Sequence, residues 1–176
     1  MEKFSLTTES LPRVVRERDC SILRVLAANV QFLVGPQEDD ENPCILKGTI
    51  APGTSVPFHS HDIPEVFFIL SGNIEVLLDD GGSLRWIEAR AGDLIEMPSN
   101  AKHAFRNKSR NPVSTLVFTT SRHGRYFQEI GRPVVSGESV QPPTPDEIEH
   151  FRKIAERYGY WLATPEENAS FGITLL

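Results

Sequence analysis

Between residues 21 and 120 the chain is written as short apolar runs rich in Val, Ile, Leu and Phe, separated by clusters of Gly, Pro, Asn and Asp. Runs of this length are too brief for ordinary helices, and the spacers break any longer period, so the pattern predicts many short strands. Candidate strands are Ile22 to Ala27, Val30 to Val34, Ile45 to Ile50, Val66 to Leu70, Ile74 to Leu78, Leu84 to Ala89, Asp93 to Met97, His103 to Asn107 and Ser114 to Thr119. The spacers have mechanisms. Pro52-Gly53 and Asp80-Gly81-Gly82 permit tight-turn dihedrals, and Gly72 and Gly92 mark bends between neighbouring runs. Regular spacing of short strands predicts an all-β barrel or sandwich. No segment recurs, which argues against a duplicated barrel.

The tail changes character. Thr144-Pro145-Asp146-Glu147 combines an N-cap, a proline at the first helical position and a capping-box acid. Ile148, Phe151, Ile154, Ala155 and Tyr158 then recur at helical spacing, and Gly159 supplies a stop. The expected division is an N-terminal arm over residues 1–20, a barrel over 21–135, and a linker with a C-terminal helix over 136–176. Gly137 to Pro143 is the linker, and the helix packs outside the barrel.

A chain of 176 residues suits one domain with a single core. Hydrophobic residues make up 39% and charged residues 24%, as in soluble globular domains rather than disordered or fibrous chains. The net charge of -6 argues against a nucleic-acid partner, because neutralising phosphates requires clustered Lys and Arg. Arg13, Arg16 and Arg18 are interrupted by Glu17 and Asp19 and read as a solvated face. Cys20 and Cys44 are too few and too loosely spaced for a disulfide framework or a metal knuckle. The first ten residues lack the apolar region of a secretion signal, and runs such as Val66 to Leu70 fall far short of a membrane span. A cytoplasmic protein with no membrane partner is expected.

Chemistry concentrates in one place. His59 and His61 are two apart, so on a strand both imidazoles leave the same face, as two ligands of one ion must. Glu65 follows and opens the apolar run Val66 to Leu70, where a carboxylate with no basic neighbour in sequence asks for a cation. His103 opens another candidate strand after the turn Pro98-Ser99-Asn100-Ala101-Lys102 and can face the first two across a barrel. Three imidazoles and one carboxylate suit one divalent transition ion, whether Fe, Mn, Ni, Co, Cu or Zn. In octahedral geometry they leave about two positions open to substrate, water or dioxygen.

These residues resemble the cupin superfamily. Gly53, His59, His61, Glu65 and Gly72 stand at the positions of the first cupin motif, and Gly92, Pro98, His103 and Asn107 fit the second. Asn100 replaces a usual glycine, which bears only on the turn, since Asn tolerates left-handed dihedrals. From Leu26 to Val134, including the closing Gly124 to Gly131 segment, the chain is similar to single-domain cupins of the quercetin 2,3-dioxygenase-like group. The resemblance implies a cupin jelly-roll barrel (double-stranded β-helix) with a C-terminal α-helical extension. It implies a metal on His59, His61, Glu65 and His103, and Glu65 as both ligand and base. It also implies a homodimer.

Period-two geometry puts Phe67 and Ile69 on the face of Glu65 and Phe105 on that of His103, with Met97 a further candidate for the substrate pocket. Ordinary core packing would use the same inward residues. His123, in Ser121 to Arg125, and His150, in the predicted helix, are expected at the surface. The run Glu38-Asp39-Asp40-Glu41 lacks the alternating ligand spacing of a calcium loop and reads as a solvated hairpin loop. The expected function is a metal-dependent dioxygenase that cleaves a carbon–carbon bond in an enol- or phenol-containing, flavonol-like small molecule with O2. The alternatives are a non-oxidative Lewis-acid enzyme (cyclase, isomerase or lyase) and a metal-containing binding module. The parts outside the barrel offer no separate DNA-binding domain, which places the binding module last.

Overall fold

The computed structural model describes residues 12–26, 28–134 and 143–173. The first eleven positions, Ala27 and all of the expected linker except Pro143 lie outside the described residues. The strands are β1 (Ile22–Val25), β2 (Ala28–Val34), β3 (Pro43–Ile50), β4 (Ser55–Ser60), β5 (Glu65–Ser71) and β6 (Asn73–Asp79). They continue as β7 (Leu84–Arg90), β8 (Leu94–Met97), β9 (His103–Arg106), β10 (Val113–Thr120), β11 (Arg132–Pro133) and β12 (Trp161–Leu162). Helices are α1 (Ser121–Ile130), α2 (Pro145–Arg157) and α3 (Pro165–Ser170).

The strands form two antiparallel sheets. One has seven strands in the order β11-β1-β2-β3-β10-β5-β8, and the other five in the order β12-β4-β9-β6-β7. From β3 to β10 the chain passes between the sheets at every step except the β6–β7 hairpin, which is the crossing pattern of a jelly roll. The inward faces of the two sheets meet in a cluster of Ile69, Ile74, Val76, Ala89, Ile95, Met97, Phe105 and Val113, all buried. Alternation follows the pleat: in β6, Val76 joins this inner cluster, while Leu77 packs outward with Phe58, Ala104, Ala163 and Ile173.

The C-terminal segment closes one side. Helix α2 has the predicted capping box, with Thr144 accepting from the Glu147 N–H and the Glu147 carboxylate accepting from the Thr144 N–H. The segment does more than pack outside the barrel. Strand β12 extends the smaller sheet by pairing with β4, Trp161 opposite Ser60 and Leu162 opposite His59. Among the described residues no helix is long and apolar enough to cross a membrane.

Candidate metal centre

Strand β4 carries His59, His61 directly follows its last residue, and a register shift between Val56 and His59 on its pairing with β9 sets His59 opposite His103. The extra residue is a β-bulge, a device that re-aims side chains. Pro57 lies within it, where a missing N–H interrupts least. Glu65 enters from the other sheet as the first residue of β5, opposite Met97. The turn before β9 holds Asn100 at φ 65°, the left-handed conformation that the glycine position calls for, and its N–H donates to the His61 carbonyl at 2.6 Å.

The four side chains expected as ligands converge. The nitrogens of His59, His61 and His103 lie within 4.8 Å of one another, and a second group of the same compactness joins His61, Glu65 and His123. Glu65 Oε2 is 3.1 Å from His61 Nε2 and 3.8 Å from His103 Nε2. His59 Nδ1 lies 2.7 Å from the Pro57 carbonyl and His103 Nδ1 lies 2.9 Å from the Ala101 carbonyl. A carbonyl only accepts, so both Nδ1 atoms carry the proton and both Nε2 atoms present lone pairs. Such backbone anchoring of the far nitrogen fixes the tautomer and orientation of a metal-ligating imidazole.

The cluster fits a cation for two reasons. His61 Nδ1 and His103 Nε2 are buried without a hydrogen-bond partner, and His61 Nε2 has only the Glu65 carboxylate, at 3.1 Å. Orphaned polar atoms in a native interior cost on the order of 1–3 kcal/mol each, so their retention calls for an explanation. The second reason is charge. Burial lowers the His59 pKa well below its usual value, helped by the neighbouring imidazoles of His103 and His61 and opposed by the Pro57 carbonyl and Glu65. Burial also lowers that of His103, against the pull of Glu65. Burial alone would raise the Glu65 carboxyl, but the imidazoles of His123, His61 and His103 outweigh it and hold it at about 2. His59 and His103 are thus neutral beside an ionised Glu65, a buried negative charge that a divalent ion neutralises.

Beside the cluster opens a cavity lined by Phe67, Ile69, Phe105, Phe127, Phe151 and Tyr160 among others. Among the described residues, Glu65 is the only formally charged side chain in that lining, and no Lys or Arg contributes to it.

Residues 47–119 match the family model of the Cupin_2 cupin domain. The match runs from β3 into β10, through the strands that bring the four side chains together. No curated protein sequence matches the chain. Among solved structures, the polyketide cyclase RemF from Streptomyces resistomycificus is similar at 18% identity with a TM-score of 0.55, over 80% of this chain and 99% of that one. An RmlC-like cupin from Shewanella frigidimarina is similar at 16% identity with a TM-score of 0.51, over 65% of this chain and 95% of that one. A double-stranded β-helix protein from Klebsiella pneumoniae shows 14% identity and a TM-score of 0.51, over 65% of this chain and 94% of that one. At these identities the likeness is one of fold.

The cupin barrel places Phe67, Ile69 and Phe105 on the cavity wall. Met97 is a correction: it is 1% exposed in the inner apolar cluster and does not line the cavity, because the neighbouring Ile69, Ile95 and Phe105 enclose it. His123 is a second correction. The expected polar connection is helix α1, and His123 is 2% exposed there, with Nδ1 at 3.3 Å from Glu65 Oε1. A helical signal was present in His123, Tyr126, Phe127 and Ile130, spaced i, i+3, i+4 and i+7. His150, by contrast, is exposed, and its Nε2 lies 2.8 Å from the Glu129 carbonyl. Tyr160 was also missed. It follows α2, stacks on Tyr126 at 4.2 Å between ring centroids and lies 4.7 Å from the His61 ring. Its hydroxyl is buried without a hydrogen-bond partner, and burial raises its pKa well above the usual tyrosine value.

Proposed function

We propose that this cupin is a metal-dependent enzyme acting on a small, planar, largely apolar molecule with an enol or phenol hydroxyl, and that it is a dioxygenase cleaving a carbon–carbon bond of that molecule. The observation that carries the reading is the placement of Glu65. It is an ionised carboxylate, among the described residues the only charged group on the wall of the cavity, and it touches the imidazole cluster. A cavity without Lys or Arg has no counter-charge for a phosphate or dicarboxylate, which argues against phosphorylated sugars and for a neutral or weakly acidic substrate. Held by His59, His61, Glu65 and His103, a divalent transition ion would supply Lewis acidity and open coordination positions.

The chain's own residues do the rest. Phe67 and Phe105, 4.9 Å apart between ring centroids, offer a face for a planar substrate and exclude water. Glu65 is the ionised acceptor placed to take the hydroxyl proton as the substrate binds; held at about 2 it is a weak base, so it suits a hydroxyl that a bound metal ion would acidify. In the resulting anion the electron density needed for attack on dioxygen is delocalised over the ring. The test is an oxygen electrode with metal-loaded protein and a flavonol. Oxygen uptake should match substrate loss, and Glu65→Gln should keep part of its metal while its rate falls about 10²–10⁴-fold. Equal turnover under anaerobic conditions would overturn the dioxygenase reading.

One observation favours a second reading. His123, Tyr126 and Tyr160 give the cavity further proton-carrying groups beyond Glu65. Isomerisation must return a proton to carbon and an aldol-type cyclisation must protonate an alkoxide, whereas ring cleavage by dioxygen ends in a carboxylate that needs no such donor. The fold shared with the polyketide cyclase RemF agrees with this reading at the level of architecture. Anaerobic turnover of a polyketide-like enol would support it.

A further inference from the structure

We infer that His123 is a positioning residue that donates its Nδ1–H to Glu65 Oε1 and so leaves Oε2 as the one carboxylate oxygen turned toward the metal-binding histidines. The inference rests on the metal reading of the cluster and not on the choice of reaction.

The hydrogen-bond geometry decides where the His123 proton sits. Its Nδ1 is 3.3 Å from Glu65 Oε1 and 3.1 Å from Thr119 Oγ1. The Thr119 hydroxyl lies 3.3 Å from the Pro64 carbonyl and donates to it, because a carbonyl can only accept. With that proton committed, Thr119 Oγ1 faces His123 as an acceptor, and so does the ionised carboxylate. Nδ1 between two acceptors is the protonated nitrogen of the ring. A protonated nitrogen cannot ligate, so the group of His61, Glu65 and His123 is not a second metal set built on that atom. It is two metal ligands, His61 and Glu65, and the residue that aims the carboxylate of the second.

The ring is held for that purpose. It stacks on Phe127, one turn further along α1, with centroids 4.4 Å apart and planes 17° from parallel. Gly124 lets the helix approach closely enough, since a Cβ at that position would fall 2.7 Å from Cys44 Sγ and 2.8 Å from Pro36 Cγ. A carboxylate held by one oxygen stays a one-point ligand. Released, it can rotate to bind through both oxygens and fill one of the roughly two positions that a three-His, one-Glu set leaves open.

Cobalt(II) titration of metal-stripped protein, read by its visible d–d spectrum, tests this without any substrate. The variants are His123→Leu, which removes the donor, and His123→Asn, whose amide nitrogen can take the place of Nδ1. His123→Leu should still bind cobalt, about 10–100-fold more weakly, with a changed spectrum, and His123→Asn should restore the wild-type spectrum. A His123→Leu spectrum and affinity equal to wild type would overturn the inference. So would failure of His123→Asn to restore, or loss of cobalt as complete as in His61→Ala, which would make His123 a ligand. If His123→Leu does not fold, pulsed EPR of copper(II)-loaded wild type decides: three coupled imidazoles support the inference and four overturn it. A wild type that takes up no cobalt removes the metal reading itself, an outcome distinct from any variant result.

Discussion

On the outer face of strands β4 and β9, beneath the C-terminal segment, Asn168 is completely buried among Phe58, Leu77, Ala104 and Ala163. Its Oδ1 accepts from the Phe58 N–H at 2.9 Å, and its Nδ2 donates to the carbonyls of Ala163 and Thr164 at 3.1 and 3.0 Å. On the inner side, just past the end of β4 and at the start of β9, His61 and His103 are also buried, yet His61 Nδ1 and His103 Nε2 have no hydrogen-bond partner. The same pair of strands therefore buries polar groups in two ways. The outer face satisfies them internally and uses them to fix the chain, whereas the inner face leaves them waiting for something from outside. Buried polar groups left unpaired weaken a fold, and they persist where function needs them.

Four measurements bear on that contrast. The largest effect is expected from metal: adding a divalent ion to stripped protein should stabilise it by about 4 kcal/mol at a thousandfold excess over Kd, seen as a rise in Tm. An unchanged Tm with every first-row ion would break the distinction between the faces. Next comes Leu77→Ala on the outer face, fully buried in wild type, which should cost about 3 kcal/mol in denaturant unfolding while leaving metal stoichiometry intact. Asn168→Ala should cost about 2 kcal/mol, because it strands the Phe58 N–H and two carbonyls, again with normal metal content. The smallest effect comes from His61→Leu in metal-free protein, which removes the orphaned Nδ1 but also the nitrogen that faces Glu65; the two should nearly cancel, for a change within about 1 kcal/mol, whereas a loss of about 2 kcal/mol or more would show that the inner face is satisfied after all.

Much of this was legible before the fold was seen, and the gaps have physical causes. The strands came through because their apolar runs and turn residues are both local signals. The turn at Asn100 came through for the same reason, and its φ of 65° agrees with the expectation for that residue. The convergence of His59, His61, Glu65 and His103 was readable from spacing at the end of β4 and from the cupin motifs. What failed was long-range or short-element information. Strand β12 is two residues long and exists only because β4 offers it an edge. Helix α3 is six residues long, and its capping box at Thr164 and Glu167 stood in the sequence without a long periodic run behind it. His123 was misplaced because Arg122, Gly124 and Arg125 around it read as a polar connection. In the fold Gly124 is what brings that helix against the barrel, and Arg122 turns away to pair with Asp62 at 2.9 Å. Met97 was misplaced because inward orientation alone does not say whether a side chain meets a cavity or another side chain.

The central claim is that the unpaired imidazoles of the inner face hold a metal ion. Elemental analysis of purified wild type and His61→Ala tests it most directly. The account predicts about one divalent transition ion per chain in wild type and loss of most of it in His61→Ala. Full metal content in His61→Ala, or none in wild type after growth with the first-row metals supplied, would contradict it.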